Sequence, residues 1–129
     1  MSNSIHQDIT INASIDKVYA ALTEGEIFAA FTGGAAAAIA AEEGGEFSLF
    51  GGMIVGRNIE MIPGQRLVQA WRPGNWEAGV YSVVRFELEA DGEATKIAMD
   101  HTGFPDGARE QLEGGWHKMY WQPLNEYLG

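Results

Sequence analysis

His6, His101 and His117 are the side chains in this sequence whose ordinary pKa suits acid–base chemistry near neutral pH. A catalytic histidine needs a substrate proton and an orienting acceptor within hydrogen-bond reach. His6 sits on the polar side of an alternating run and reads as solvated. His101 falls on the inward side of its strand, near the strand end. His117 lies at the edge of a helical stripe. Asp100 adjoins His101 in sequence, but strand alternation points it the other way. His101 is therefore the one catalytic candidate, for cyclase- or hydrolase-like acid/base work, and a structural histidine satisfied by its neighbours is the competing reading. Three histidines without i,i+4 pairing form no zinc pattern. Glu42, Glu43 and Glu46 lack the regular ligand ladder of a calcium loop and read as a solvated acidic segment. Neither a metal nor a cofactor is expected. Gly33-Gly34 and Gly51-Gly52 read as turns, with no Lys-Ser/Thr to cradle phosphate. The absence of cysteine removes thiolate ligands, disulfides and a thiol nucleophile.

The remaining polar candidates come from strand faces. In the run 80–88, Val80, Ser82, Val84, Phe86 and Leu88 share one side, with Tyr81, Arg85 and Glu87 on the other. Ile97, Met99 and His101 form a second inward set, Leu67, Gln69 and Trp71 a third, and Gln7 lies among Ile5, Ile9 and Ile11. The inward face is thus apolar except for Gln7, Gln69, Ser82 and His101. Such a set either lines a cavity or finds neighbours and backbone to bond with, which buried polar groups usually do. Trp71, Trp116 and Trp121 read as core. Trp76, in the loop from Pro73 to Gly79, reads as a contact or lid.

The elements that place these residues follow from periodicity. A strand at 5–11 leads to a short helix capped by Ser14. A second helix is expected from the capping-box spacing of Thr23 and Glu26, carrying Ile27, Phe28 and Phe31. Ala35 to Ala41 reads as a mobile connection, with a local alanine helix as the alternative. Strands follow at Glu46–Phe50 and Met53–Ile62 around a Gly51-Gly52 hairpin, then at Arg66–Arg72, Gly79–Ala90 and Ala94–Gly103. Asp106 is expected to cap a long final helix whose stripe holds Leu112, Trp116, Met119, Tyr120, Pro123, Leu124 and Tyr127. Gly114-Gly115 and Pro123 predict a bend. This gives an α+β architecture: a curved antiparallel sheet of about six or seven strands wrapped around the C-terminal helix, with two short helices after the first strand.

The chain has 129 residues, 46% hydrophobic and 20% charged, which suits one domain over residues 1–129. Its 18 Asp and Glu against 8 Lys and Arg give a net charge of −10, which argues against nucleic acid or an anionic membrane as partner. No secretory pattern is visible from Met1 to Ser14, and no apolar run approaches the length of a membrane span. A cytoplasmic location is the expectation, and the oligomeric state stays open.

One ordered set of residues is familiar. It runs Gly44-Gly45-Glu46-Phe47-Ser48, Phe50-Gly51-Gly52, Gly56, Pro63-Gly64, Leu67-Val68, Trp71-Arg72, Trp76, Gly79, Thr95, Gly103-Phe104-Pro105, Gly115-Trp116 and Tyr120. It resembles the C-terminal domain of the activator of heat-shock protein ninety ATPase and its stand-alone homologues, within the START-like (SRPBCC) superfamily that includes the birch-pollen allergen and polyketide cyclases. The resemblance implies the helix-grip fold. It also implies an apolar-ligand cavity between sheet and helix, lined here by Gln69, Trp71, Ser82, Val84, Phe86, Met99, His101, Trp116 and Tyr120, with Trp76 at its mouth. The eukaryotic activators also use a separate N-terminal domain, for which these 129 residues show no counterpart. The leading expectation is therefore a non-enzymatic module that binds a small apolar molecule. Contact with a chaperone ATPase through the loops around Trp76 is the second reading, and catalysis through His101 the third.

Overall fold

In the computed structural model, which describes residues 3–128, the chain opens with β1 (Ser4–Ile11), whose residues alternate between solvent and interior. Met1 and Ser2, within the segment read for a secretory pattern, lie outside the described residues. Two short helices follow, α1 (Ile15–Thr23) and α2 (Gly25–Phe31). The strands are then β2 (Ala38–Ile39), β3 (Glu46–Leu49), β4 (Ile54–Ile62), β5 (Arg66–Pro73), β6 (Ser82–Asp91) and β7 (Ala94–Thr102). Among the described residues they form one curved sheet in the order β1-β7-β6-β5-β4-β3-β2, every neighbouring pair antiparallel. The C-terminal helix has three parts: α3 (Arg109–Gly115), a π-helical turn (Trp116–Trp121) and α4 (Gln122–Leu128). Trp116, Tyr120, Trp121 and Leu124 bury against the concave side of the sheet, which is the helix-grip arrangement.

Local chemistry departs from the expected boundaries in several places. The Thr23–Glu26 capping box does not form. The Thr23 hydroxyl instead donates to the Tyr19 carbonyl at 2.8 Å, closing α1, and α2 starts after Glu24. Ala35 to Ala41 is not helical, because Ala38 and Ile39 pair with Ser48 and Phe47 as a two-residue edge strand. The β3–β4 connection is a 3₁₀ turn, Phe50–Gly52, rather than a two-residue hairpin. Phe50 itself has φ 53°, an uncommon conformation for a residue with a side chain. β6 begins at Ser82 and not at Gly79, because the Val80 carbonyl is taken by Arg72 at 3.0 Å; Val80 is half-buried in the loop. Asp106 does not cap the last helix. It accepts from the Asn3 amide at 2.8 Å, and Gly107 (φ 85°) turns the chain before Arg109.

β4 carries a bulge between Asn58 and Glu60. The extra residue, Ile59, is exposed, and the parity change turns Met61 toward the core in place of Glu60. The C-terminal helix does not merely bend. In an α-helix, five residues place side chains about 140° apart. The wider π turn brings Trp116 and Trp121 to the same side, their rings stacked at 5.7 Å. Met119 and Tyr127 are displaced from the expected stripe and are exposed.

Candidate functional site

Beneath the helix the interior is an aromatic stack. Trp71 from β5 lies on Trp116 at 5.5 Å, and Phe86 from β6 meets Trp116 edge-on. His101 from β7 stands edge-on to Trp71 at 4.9 Å and to Phe104 at 5.2 Å. Tyr120 joins Trp116 to Phe28 and Phe50. Val84 and Met99 are fully buried in the same layer. Seven of the nine residues expected to line a cavity, all but Gln69 and Ser82, thus come together in a packed layer.

The four inward polar side chains all find protein partners. Trp121 Nε1 donates to Gln7 Oε1 at 2.7 Å, and Gln7 Nε2 donates to the Glu113 carbonyl. Gln69 Nε2 donates to Asn58 Oδ1, and Asn58 Nδ2 to the Ala40 carbonyl. His101 sits at the centre of a chain that crosses three strands and the helix. Trp116 Nε1–H can only donate, and it lies 3.1 Å from His101 Nδ1. Nδ1 must therefore be bare, which places the imidazole hydrogen on Nε2, 2.7 Å from Ser82 Oγ. Ser82 in turn donates to the Trp71 carbonyl at 2.8 Å. Burial pushes the His101 pKa down to about 4, so the ring is neutral at physiological pH.

This polarity matters for chemistry. A general base accepts from the nucleophile it activates; His101 donates to Ser82, and the hydroxyl hydrogen is already committed to a carbonyl. Neither ring nitrogen is exposed, and both are engaged. The pairing with Ser82 was invisible in sequence, where the two lie 19 positions apart, but it follows once Val84 is placed opposite His101 in the β6–β7 register. His6, expected to be merely solvated, bridges Asp100 (2.8 Å) and Asp8 (2.9 Å) on the convex face, with Arg85 on the second Asp100 oxygen. Hydrogen bonds that its ring donates to Asp100 and then to Asp8 raise its pKa. His117 is exposed on the helix. Among the described residues no group of three or more His, Asp or Glu side chains is arranged to hold a metal ion, and no helix is long and apolar enough to cross a membrane.

Open space lies beside the stack. A groove of about 600 Å³ runs between the loop after β5 and the start of the C-terminal helix, with Trp71, Trp76 and Trp116 on its walls. Phe50 and Leu112 extend the apolar lining, and Asn75 and Gln111 contribute amides; among the described residues no charged side chain takes part. Met53 and Met119, both exposed, form its lips. Trp76 is half-buried and lies edge-on to Trp71 at 6.3 Å. Two buried polar atoms nearby, the Trp71 indole N–H and the Tyr120 hydroxyl, have no hydrogen-bond partner among the described residues. Burial raises the Tyr120 pKa; the Trp71 N–H lies near enough to oppose this, yet the pair falls short of hydrogen-bond geometry. Of the residues expected around the cavity, Trp71, Trp76 and Trp116 reach the groove. Gln69, Ser82, Val84, Phe86, Met99, His101 and Tyr120 do not line it.

Comparison with known proteins gives a consistent picture. A family model described as "Activator of Hsp90 ATPase homolog 1-like protein" matches residues 12–129. An activator of 90 kDa heat shock protein ATPase homolog from Dictyostelium discoideum is 44% identical over 78 residues, which is 60% of this chain and 20% of that protein. Homolog 1 from Mus musculus is 27% identical over 93% of this chain and 35% of its own length. The chain therefore spans about a third or less of these relatives. A crystal structure of an HSP90 activator from Plasmodium falciparum superposes with a TM-score of 0.92 at 24% identity, covering 98% of this chain and 96% of that one.

Proposed function

Since the chain belongs to the Activator of Hsp90 ATPase homolog 1-like family, we propose that it is a co-chaperone-like module that binds an Hsp90-type ATPase. The observation that carries this reading is the alignment along 93% of the chain with a protein named for that activity. The physical features agree with a binding role. The inward side chains of Gln7, Gln69, Ser82 and His101 already have partners inside the protein, while apolar side chains remain at the groove's lips. The module acts without catalysis, as one START-like domain over residues 1–129, in the cytoplasm where such an ATPase works. Isothermal titration against a purified Hsp90-type ATPase tests the proposal: saturable binding supports it, and no heat signal together with no co-sedimentation removes it.

A second reading is favoured by one feature, the uncharged groove of about 600 Å³, a size and lining suited to a small apolar molecule. Fluorescent fatty-acid or polycyclic probes would then bind saturably, and Met119→Glu would weaken them.

A further inference from the structure

Arg72 follows Trp71 on β5, so the two side chains leave opposite faces of the sheet. Trp71 forms groove wall, whereas Arg72 does not line the groove at all. Its Nε donates to the Val80 carbonyl at 3.0 Å, its Nη2 to the carbonyls of Trp76 (2.6 Å) and Glu77 (3.0 Å), and its cation lies 5.6 Å from the Tyr81 ring centre. The other four arginines, Arg57, Arg66, Arg85 and Arg109, each pair with a carboxylate; among the described residues Arg72 does not.

The segment so held joins two neighbouring antiparallel strands, from Pro73 at the end of β5 to Ser82 at the start of β6. Hairpin connections usually take about two to five residues, and longer ones tend to be functional. Backbone bonds within this one are sparse: Trp76 N–H to the Pro73 carbonyl and Val80 N–H to the Glu77 carbonyl. A third, from Gly74 N–H to the Met53 carbonyl, ties its start to one lip of the groove. Gly79, at φ 82°, lets the chain turn back. The guanidinium fork, with several donors in one plane, is thus the chief fastening of the loop that carries Trp76.

We propose that Arg72 is the positioning residue of the groove: it latches the loop 74–81 so that Trp76 rests on Trp71 and closes the outer wall, and loss of the latch opens the groove. The latch stands on the loop geometry alone; only its effect on binding rests on the groove reading. With 5-fluorotryptophan in all four tryptophan positions, and Trp76→Phe to assign one resonance, fluorine NMR reads the loop directly. In Arg72→Ala the Trp76 resonance moves toward that of free fluorotryptophan while those of Trp116 and Trp121 stay in place. Added ethylguanidinium restores it, and the Kd of the neutral probe Nile red rises about tenfold. Arg72→Lys, a cation without the planar fork, also releases Trp76, and this variant serves if the alanine protein does not fold. A Trp76 resonance unchanged in both variants overturns the proposal, as does a shift of all the resonances together that ethylguanidinium fails to reverse. Nile red that does not bind the unaltered protein sinks the small-molecule reading but leaves the latch standing.

Discussion

Protonating His101 on Nδ1 would set a new N–H against the N–H of Trp116, inside a layer that water does not reach. The folded pKa, near 4, lies below the value of about 6.5 for an unfolded histidine. Stability from this group is therefore fully present above pH 6.5 and declines as pH falls toward 4, by about 2 kcal/mol at pH 5. His6 has the opposite sign: its raised pKa stabilises the fold at low pH and that contribution fades as pH rises. Urea unfolding of His6→Ala between pH 7 and pH 5 isolates the first effect. In that background His101→Gln is expected to flatten the profile, and an unchanged slope would contradict the neutral, buried tautomer. Gly56 is a second point of this scale. A Cβ there would strike the Ala70 carbonyl and the Phe47 ring, so Gly56→Ala is expected to cost about 3 kcal/mol in the same assay.

The π turn is an element-scale device with its own test. Deleting Lys118, an exposed residue within it, leaves Trp116, Tyr120 and Trp121 at i, i+3 and i+4 spacing, which an ordinary α-helix presents on one face. The shortened protein is expected to fold with continuous α-helical hydrogen bonds and stability within about 1 kcal/mol; loss of cooperative unfolding would contradict this account of the helix. Strand faces were legible because alternation is a local property: Ser82, Val84, Phe86, Met99 and His101 point inward as their spacing requires. The β4 bulge, the two-residue β2 and the π turn were not legible, since each depends on what an element packs against. The same limit applied to the site. Buried aromatics could be named, but whether they enclosed space depended on the loop that Arg72 holds, a matter of three carbonyls no pattern displays.

At the scale of the molecule, the two sides of the sheet do different work. The convex face carries cross-strand ion pairs, His6–Asp100–Arg85 and Glu60–Arg66–Glu87, which satisfy much of its charge locally. The concave face is closed by the helix, and Gln7, Gln69, Ser82 and His101 on it are paired within the protein. The partner surface we propose is the end of the molecule where Trp76, Met53 and Met119 surround the groove. Binding of the ATPase through this end is expected to fall at least about tenfold in a Met53→Glu, Met119→Glu double variant whose melting temperature is unchanged, because each exposed methionine becomes a charge that must be desolvated. The most direct measurement of the central claim is the ATP turnover of a purified Hsp90-type ATPase titrated with this protein. A saturable rise in rate, lost in the double variant, is the expected result; a rate that stays flat at excess protein, with no complex detected, would contradict the account.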